Sequence, residues 1–218
     1  MLETKTSDSL LRNNVNFPTF SDLPHEYHVD PTYYVEGPYR IVPRQHWCFL
    51  GEIVGSYGLF RVLLRVKDKC GQVVTIGLYT DDRGHTLTPQ IKPGHTVAVL
   101  YGEQHSFLDM TVGIRVEEPS IIKIIPCSLE QLLKASDDVA ACNSNTQSRC
   151  CGSCGKEENT SHNTHLLLCS RCKQTSYCGE ACQKQAWVDG HKADCKALVW
   201  VQWCAARNWG VFDGYFNF

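Results

Sequence analysis

Cys151-Gly-Ser-Cys154, Cys169-Ser-Arg-Cys172, Tyr177-Cys178-Gly-Glu-Ala-Cys182 and His191-Lys-Ala-Asp-Cys195 follow one another in the last third of a 218-residue chain. Seven thiols and one imidazole arrive as four pairs. Eight soft or borderline ligands are what two tetrahedral structural zinc ions require.

The spacings assign local structure. Two residues between thiols, as in Cys151/Cys154 and Cys169/Cys172, suit a tight knuckle whose sulfurs converge on one ion. Three residues between ligands, as in Cys178/Cys182 and His191/Cys195, put both on one face of a helical turn. Only five residues, Lys173 to Tyr177, separate the second pair from the third, too few for two independent sites. An interleaved arrangement follows. Cys151, Cys154, Cys178 and Cys182 hold the first zinc; Cys169, Cys172, His191 and Cys195 hold the second.

This stretch resembles a MYND-type zinc finger. The resemblance rests on the four pairs together with Tyr177 before the third pair, Gln183 after Cys182, Trp187 four residues later, and the terminal His191-Lys-Ala-Asp-Cys195. It implies the interleaved two-zinc topology and a shallow surface groove for short, proline-containing peptides. It also implies groove residues, which fall here on Ser170, Gln183 and Trp187. The long spacer from Gly155 to Leu168 departs from the family pattern.

Other ligand sets fit less well. Cys150 in place of Cys151 would leave three residues before Cys154 and a poorer knuckle. His162 and His165 lie in the polar run Asn159-Thr-Ser-His-Asn-Thr-His165 and read as solvated. A disulfide framework would leave one of thirteen cysteines unpaired, and no secretory apolar run opens the chain.

Composition sets the class. Hydrophobic content of 43% with 20% charged residues is that of a globular protein, and no apolar run reaches membrane-span length. A reducing intracellular compartment, nucleus or cytoplasm, is expected, with no membrane partner. Residues 145–218 carry eight Lys or Arg against six Asp or Glu; counting seven thiolates and two dications brings the segment to about −1. Through residue 144 acids outnumber bases, 17 to 13. Nucleic-acid binding, which needs clustered cations, is therefore not expected.

Outward from the finger, the chain divides as follows. Residues 1–16 are polar and expected to be disordered. Residues 17–44, with prolines at 18, 24, 31, 38 and 43, form an extended arm whose tyrosines pack on the next domain. Residues 45–135 are a β-domain ending in a short helix over 128–134 with Ser128 as N-cap. Residues 136–149 read as a linker and 150–195 as the finger. In 196–218, an apolar helix and an aromatic tail are too hydrophobic to stay in water and are expected to dock back on the β-domain.

The β-domain has strands expected over 46–54, 59–67, 73–79 and 96–101 and a final β-rich stretch made of 110–116 and 121–125, with a hairpin turn at Asp68-Lys-Cys-Gly71. Three strands, a longer connection and two more resemble a five-stranded OB-type barrel, though a small sandwich or SH3-like barrel has similar spacing. Such barrels often bind single strands by stacking. Phe60, Arg61, Arg65 and Tyr79 are the residues here that would serve.

The fold expected is α+β in two modules: a small antiparallel OB-like barrel, then a two-zinc interleaved finger with short helices. The function expected is a non-catalytic adaptor whose finger takes short peptides of partner proteins, a role the resemblance associates with transcriptional regulation. Two alternatives stand beside it: single-strand binding through the barrel, or a regulatory part of a methyltransferase-type assembly, since MYND fingers also occur in SET-domain lysine methyltransferases. No catalytic residue is assigned, because a GxSxG elbow, a GxxxxGK loop and an HExxH helix are all missing.

Overall fold

The computed structural model describes residues 9–144, 149–158 and 165–218. It divides into two compact units. One holds Leu11–Leu129 with Asn208–Phe218; the other holds the described residues of Glu130–Arg207 with Ser9 and Leu10. Among the described residues no helix is long and apolar enough to cross a membrane.

The first unit is a barrel. A hairpin of β1 (Tyr34–Glu36) and β2 (Ile41–Pro43) precedes β3 (Cys48–Tyr57), β4 (Leu63–Asp68), β5 (Val73–Leu78) and β6 (Thr96–Leu100). Then come β7 (Gln104–Ser106), β8 (Val112–Val116) and β9 (Ile122–Ile125). The ten-residue β3 is central. Its first half pairs with β6 and its second with β4, and a bulge between Ile53 and Gly55 lets it bend from one to the other. Closure comes from the last segment: β8 runs parallel to β5, and β9, reached through a tight turn over Pro119–Ile121, is antiparallel to β6. With β8 and β9 as one broken strand, the five-stranded OB-like topology is complete.

Alternation drives this arrangement. In β4, Leu64 and Val66 are buried and Arg65 and Lys67 exposed; in β5, Val74 and Ile76 are buried beside them. Trp47, Phe49, Ile53 and Ile114 complete the centre, with the Trp47 indole N–H on the Gly102 carbonyl at 2.9 Å.

Several boundaries differ from the sequence expectation. The stretch 59–62 is a loop instead of strand, because Gly58 at φ 109° turns the chain and a Cβ there would meet the Arg61 carbonyl at 2.1 Å. The sheet is not purely antiparallel, since β8 joins it parallel to β5. The short β7, at residues read as loop, pairs with β8.

The arm at 17–44 lies on the barrel: Phe20, Leu23 and Tyr33 are in its core, and the Tyr33 ring packs 4.8 Å from Trp47. Tyr27 and Tyr39 are exposed. Residues 9–16 are ordered, against the expectation of disorder. Leu11 is fully buried, and the Asn16 side-chain amide donates to the carbonyls of His46 and Trp209, each at 3.0 Å. Residues 1–8 lie outside the described set.

The aromatic tail belongs to this unit. Trp209 is buried against Phe17 (4.6 Å between centroids), and Phe216 donates its backbone N–H to the Tyr101 hydroxyl at 2.8 Å. The apolar helix over 196–206 is grouped with the other unit.

That second unit begins along α1 (Leu129–Ser144). The helix runs ten residues past Lys134, through most of the expected linker. Leu132, Leu133, Ala135 and Ser136 are buried, the helix formers Ala140 and Ala141 continue it, and Lys134 pairs with Asp138 at 3.2 Å. Small residues that read as linker are also good helix formers once one face is buried. Residues 145–148 of that expected linker lie outside the described set. The finger follows, with β10 (Leu167–Leu168) antiparallel to β11 (Ser176–Tyr177), then α2 (Glu180–Ala186), an irregular turn over Trp187–His191 and α3 (Lys192–Ala205). Gly190 at φ 140° makes that turn.

Candidate metal centre

Each CxxC forms a tight turn that ends in a left-handed residue: Gly155 (φ 73°) after Cys154, and Lys173 (φ 57°) after Cys172. In each, the N–H of that residue returns to the first cysteine's carbonyl, Cys151 or Cys169, at 2.9 Å. The turn points both sulfurs of a pair the same way. Cys178 stands just before α2 and Cys182 in its first turn. His191 and Cys195 flank the start of α3.

These pieces bring together two groups of four, Cys151/Cys154/Cys178/Cys182 and Cys169/Cys172/His191/Cys195, each with its ligand atoms all within 4.8 Å of one another. The pairing is interleaved as the spacing predicts. In the first group Cys154 Sγ lies 3.6 Å from Cys178 Sγ, and Cys178 Sγ lies 3.4 Å from Cys182 Sγ. In the second, Cys169 and Cys195 sulfurs are 3.9 Å apart, and Cys172 Sγ is 3.7 Å from His191 Nε2. A tetrahedron with zinc–sulfur arms of about 2.3 Å has edges of about 3.8 Å, so the spacing fits the ion. All these cysteines are free thiols.

Electrostatics give the same answer. Burial raises the Cys151 thiol, but N–H groups of Cys154, Cys178 and Ser153 outweigh it and bring it down to about 6. Burial likewise opposes, and the Cys172 N–H and His191 side chain overcome it, to bring Cys169 to about 6. Their neighbours go the other way: Cys178 rises to about 12 through its contacts with Cys182 and Cys154, and Cys195 to about 12 through burial and the charges of Cys172 and Cys169. Crowded thiols cannot all ionise unaided, and a dication at the centre of each group reverses that repulsion. Four thiols in one group, and three thiols with an imidazole in the other, fill four positions each, so the two zinc ions are structural.

The groups differ in exposure. Cys169, Cys172, His191 and Cys195 are all buried, whereas Cys154 is exposed and Cys178 and Cys182 are half-buried. Rings flank the one imidazole: Tyr177 and Trp187 stand edge-on to His191, at 5.8 and 6.0 Å. Sequence reading placed both aromatics by resemblance and missed that both rings stand against His191.

Of the other residues singled out, Ser170 is exposed in the second knuckle, Gln183 is half-buried on α2, and Trp187 is half-buried against the finger core. Cys150 is exposed and bridges to Glu157, outside the cluster. His165 is exposed, and His162 lies outside the described residues. A separate cleft of about 870 Å³ between α1 and the finger is lined by residues including Lys134, Asp138 and Tyr177; Ser170, Gln183 and Trp187 are not among them.

Residues 151–195 match the family model for the MYND finger, and this segment is a MYND zinc finger. Two curated proteins are similar over a short stretch. Histone-lysine N-methyltransferase SMYD3 of Homo sapiens is 52% identical over 33 residues, 15% of this chain and 8% of that protein. Ubiquitin carboxyl-terminal hydrolase 19 of Arabidopsis thaliana is 44% identical over 48 residues, 22% of this chain and 6% of that protein. The chain thus spans less than a tenth of either relative. Among solved structures, Schizosaccharomyces pombe Pot1pC bound to ssDNA is 12% identical with a TM-score of 0.32, over 48% of this chain and 97% of that one. The S. pombe Stn1-Ten1 complex is 16% identical with a TM-score of 0.32, over 56% and 96%.

Proposed function

We propose that this chain is a non-catalytic, zinc-dependent adaptor whose finger captures a short, proline-containing segment of a partner protein. The observation that carries this reading is the pair of filled donor sets, which leave no coordination position for water or substrate. Zinc then serves shape: it fixes a segment whose own core is small into a rigid surface.

The binding surface in this reading is formed by Ser170, Gln183 and Trp187. Trp187 offers a flat apolar wall, Gln183 an amide able to donate to and accept from peptide backbone, and Ser170 a hydroxyl beside the knuckle. None of the three is a metal ligand, so the surface is separable from the sites that support it. The two enzymes resemble the chain over only 33 and 48 residues, which gives no ground for carrying either catalytic activity across.

Capture of a proline-containing peptide library by the zinc-loaded full chain, alongside Trp187→Ala, tests this. The variant is expected to keep two zinc ions by native mass spectrometry and to bind at least about tenfold more weakly, the scale of one lost aromatic anchor. Unchanged peptide binding by a zinc-replete Trp187→Ala protein would assign the ring to packing only.

A further inference from the structure

The cleft between α1 and the finger has a volume of about 870 Å³, on the scale of a ligand site. Its lining comes from α1, from the knuckle segments that carry Arg149 and Lys173, and from the start of α3. Val139, Leu168 and Leu198 give it an apolar part. Its charged groups fall into two classes.

The carboxylates are already engaged. Asp138 pairs with Lys134 at 3.2 Å, and Asp194 adds to the field that keeps that ammonium charged. Both Asp189 oxygens accept from the Gln185 amide, at 2.9 and 3.0 Å. The knuckle cations are not engaged. Arg149 and Lys173 are exposed and make no ion pair among the described residues.

The unused hydrogen-bonding groups can all donate. Tyr177 is only 2% exposed, and its hydroxyl is buried without a hydrogen-bond partner among the described residues. Leaving a buried hydroxyl unpaired is costly, so this one calls for a partner that a ligand can bring. His191 turns Nε2 to its metal group, 3.7 Å from Cys172 Sγ, which leaves the proton on Nδ1. That N–H donates to no described residue. Tyr177 and His191 line the same cleft as the two unpaired cations.

We infer that this cleft binds an acidic peptide segment of a partner protein. Arg149 and Lys173 complement its carboxylates, and the Tyr177 hydroxyl and His191 N–H complement carboxylate or backbone carbonyl oxygens. Val139, Leu168 and Leu198 take an apolar residue beside them. A basic segment would meet unpaired cations and bring donors to donors. A nucleic-acid backbone calls for clustered cations, and here three carboxylates share the lining with them. Ser170, Gln183 and Trp187 lie outside the cleft, so this site is independent of the groove for proline-containing peptides.

The test is fluorescence polarisation of labelled, proline-free peptide pools with the full zinc-loaded chain. One pool carries Asp and Glu around a single Leu, a second has Asn and Gln in their place, and a third has Lys and Arg. The acidic pool is expected to bind at least about tenfold more tightly than the amide pool, and the basic pool not at all. Arg149→Gln with Lys173→Gln, both exposed, is expected to weaken the acidic pool at least about tenfold. Tyr177→Phe keeps the ring and removes only the unpaired hydroxyl. It is expected to weaken binding about tenfold, with two zinc ions retained and a thermal midpoint no lower than that of the original chain. A hydroxyl that serves the fold alone would instead lower the midpoint and leave binding unchanged. Trp187→Ala is expected to bind the acidic pool like the original chain, so failure here and failure of the proline-peptide groove read out separately. The inference is overturned by equal binding of the acidic and amide pools, by binding untouched in Arg149→Gln/Lys173→Gln, or by equal competition from oligo-dT. Loss of binding in Trp187→Ala but in neither cleft variant would overturn it too.

Discussion

The rings of His46 and Phe216 lie face to face, 3.7 Å between centroids and 8° between planes, although 170 positions separate them in sequence. The imidazole is fully buried, with Nδ1 2.7 Å from the Tyr101 hydroxyl, which in turn accepts the Phe216 N–H. The tail is therefore held by a ring that can take up a proton.

That arrangement makes tail docking sensitive to acid. Burial lowers the His46 pKa below its usual 6.5, and Asp213 nearby only partly offsets this. In the unfolded chain the imidazole protonates as pH falls through its ordinary value, while in the folded chain it stays neutral further down. The unfolded state then binds more protons, so stability is lost on acidification below about 6.5 until the folded pKa is passed, at no more than about 1.4 kcal/mol per pH unit. Hydrogen exchange over 208–218, corrected for intrinsic rates, is expected to speed up in that window. The extra exchange should be missing in His46→Phe, which keeps the stack without the titration. An equal response in both proteins would place the pH sensitivity elsewhere.

Gly113 meets a harder constraint. A Cβ there would fall 2.3 Å from the Thr75 carbonyl oxygen on the neighbouring strand as well as against Phe107. Gly113→Ala is expected to destabilise the barrel by about 1–3 kcal/mol, the scale of overpacking against backbone, read as a lower denaturation midpoint. Gly55→Ala, where a Cβ would meet nothing within 4 Å, serves as the comparison and should cost less.

Metal removal should affect the two units differently. Each structural zinc supplies on the order of 10 kcal/mol of apparent folding free energy to a segment with a small core of its own. The barrel draws its stability from Trp47, Phe49, Ile53 and their neighbours instead. Chelation is expected to abolish amide protection across 151–195 while leaving β3, β4 and β5 protected. The exposed first site should surrender its metal ahead of the buried second. Protection of the finger that survives loss of both ions would refute a structural role for zinc.

How much of this was legible in the sequence depended on the range of the determining contacts. The eight ligands declare themselves because zinc geometry demands short, fixed spacings, and the barrel strands because alternation is local. What escaped was set by distant partners. Asn16 looked like part of a loose terminus until its amide met the carbonyls of His46 and Trp209. Ala140 and Ala141 looked like linker because helix and linker share small residues. Phe107 and Arg115 carried no local mark of a shared surface; only the parallel pairing of β8 with β5 brings them to Tyr79.

Two adjacent cysteines offer the most discriminating test of the metal sites. Cys151 and Cys150 are one residue apart, but the strand-like backbone turns them opposite ways: Cys151 is buried and bridges to Ser176, while Cys150 is exposed and bridges to Glu157. The Cys151 sulfur receives the N–H groups of Cys154, Cys178 and Ser153 that favour its thiolate. Cys151→Ser replaces a soft thiolate with a hydroxyl that ionises far less readily, so the first site should lose its ion. Native mass spectrometry is expected to find one zinc in Cys151→Ser and two in Cys150→Ser, with a clear fall in thermal stability of the finger in the first alone. Because the second group shares no ligand with the first, its metal should persist in both. Loss of zinc from Cys150→Ser with retention in Cys151→Ser would reverse the register and move the first knuckle by one residue.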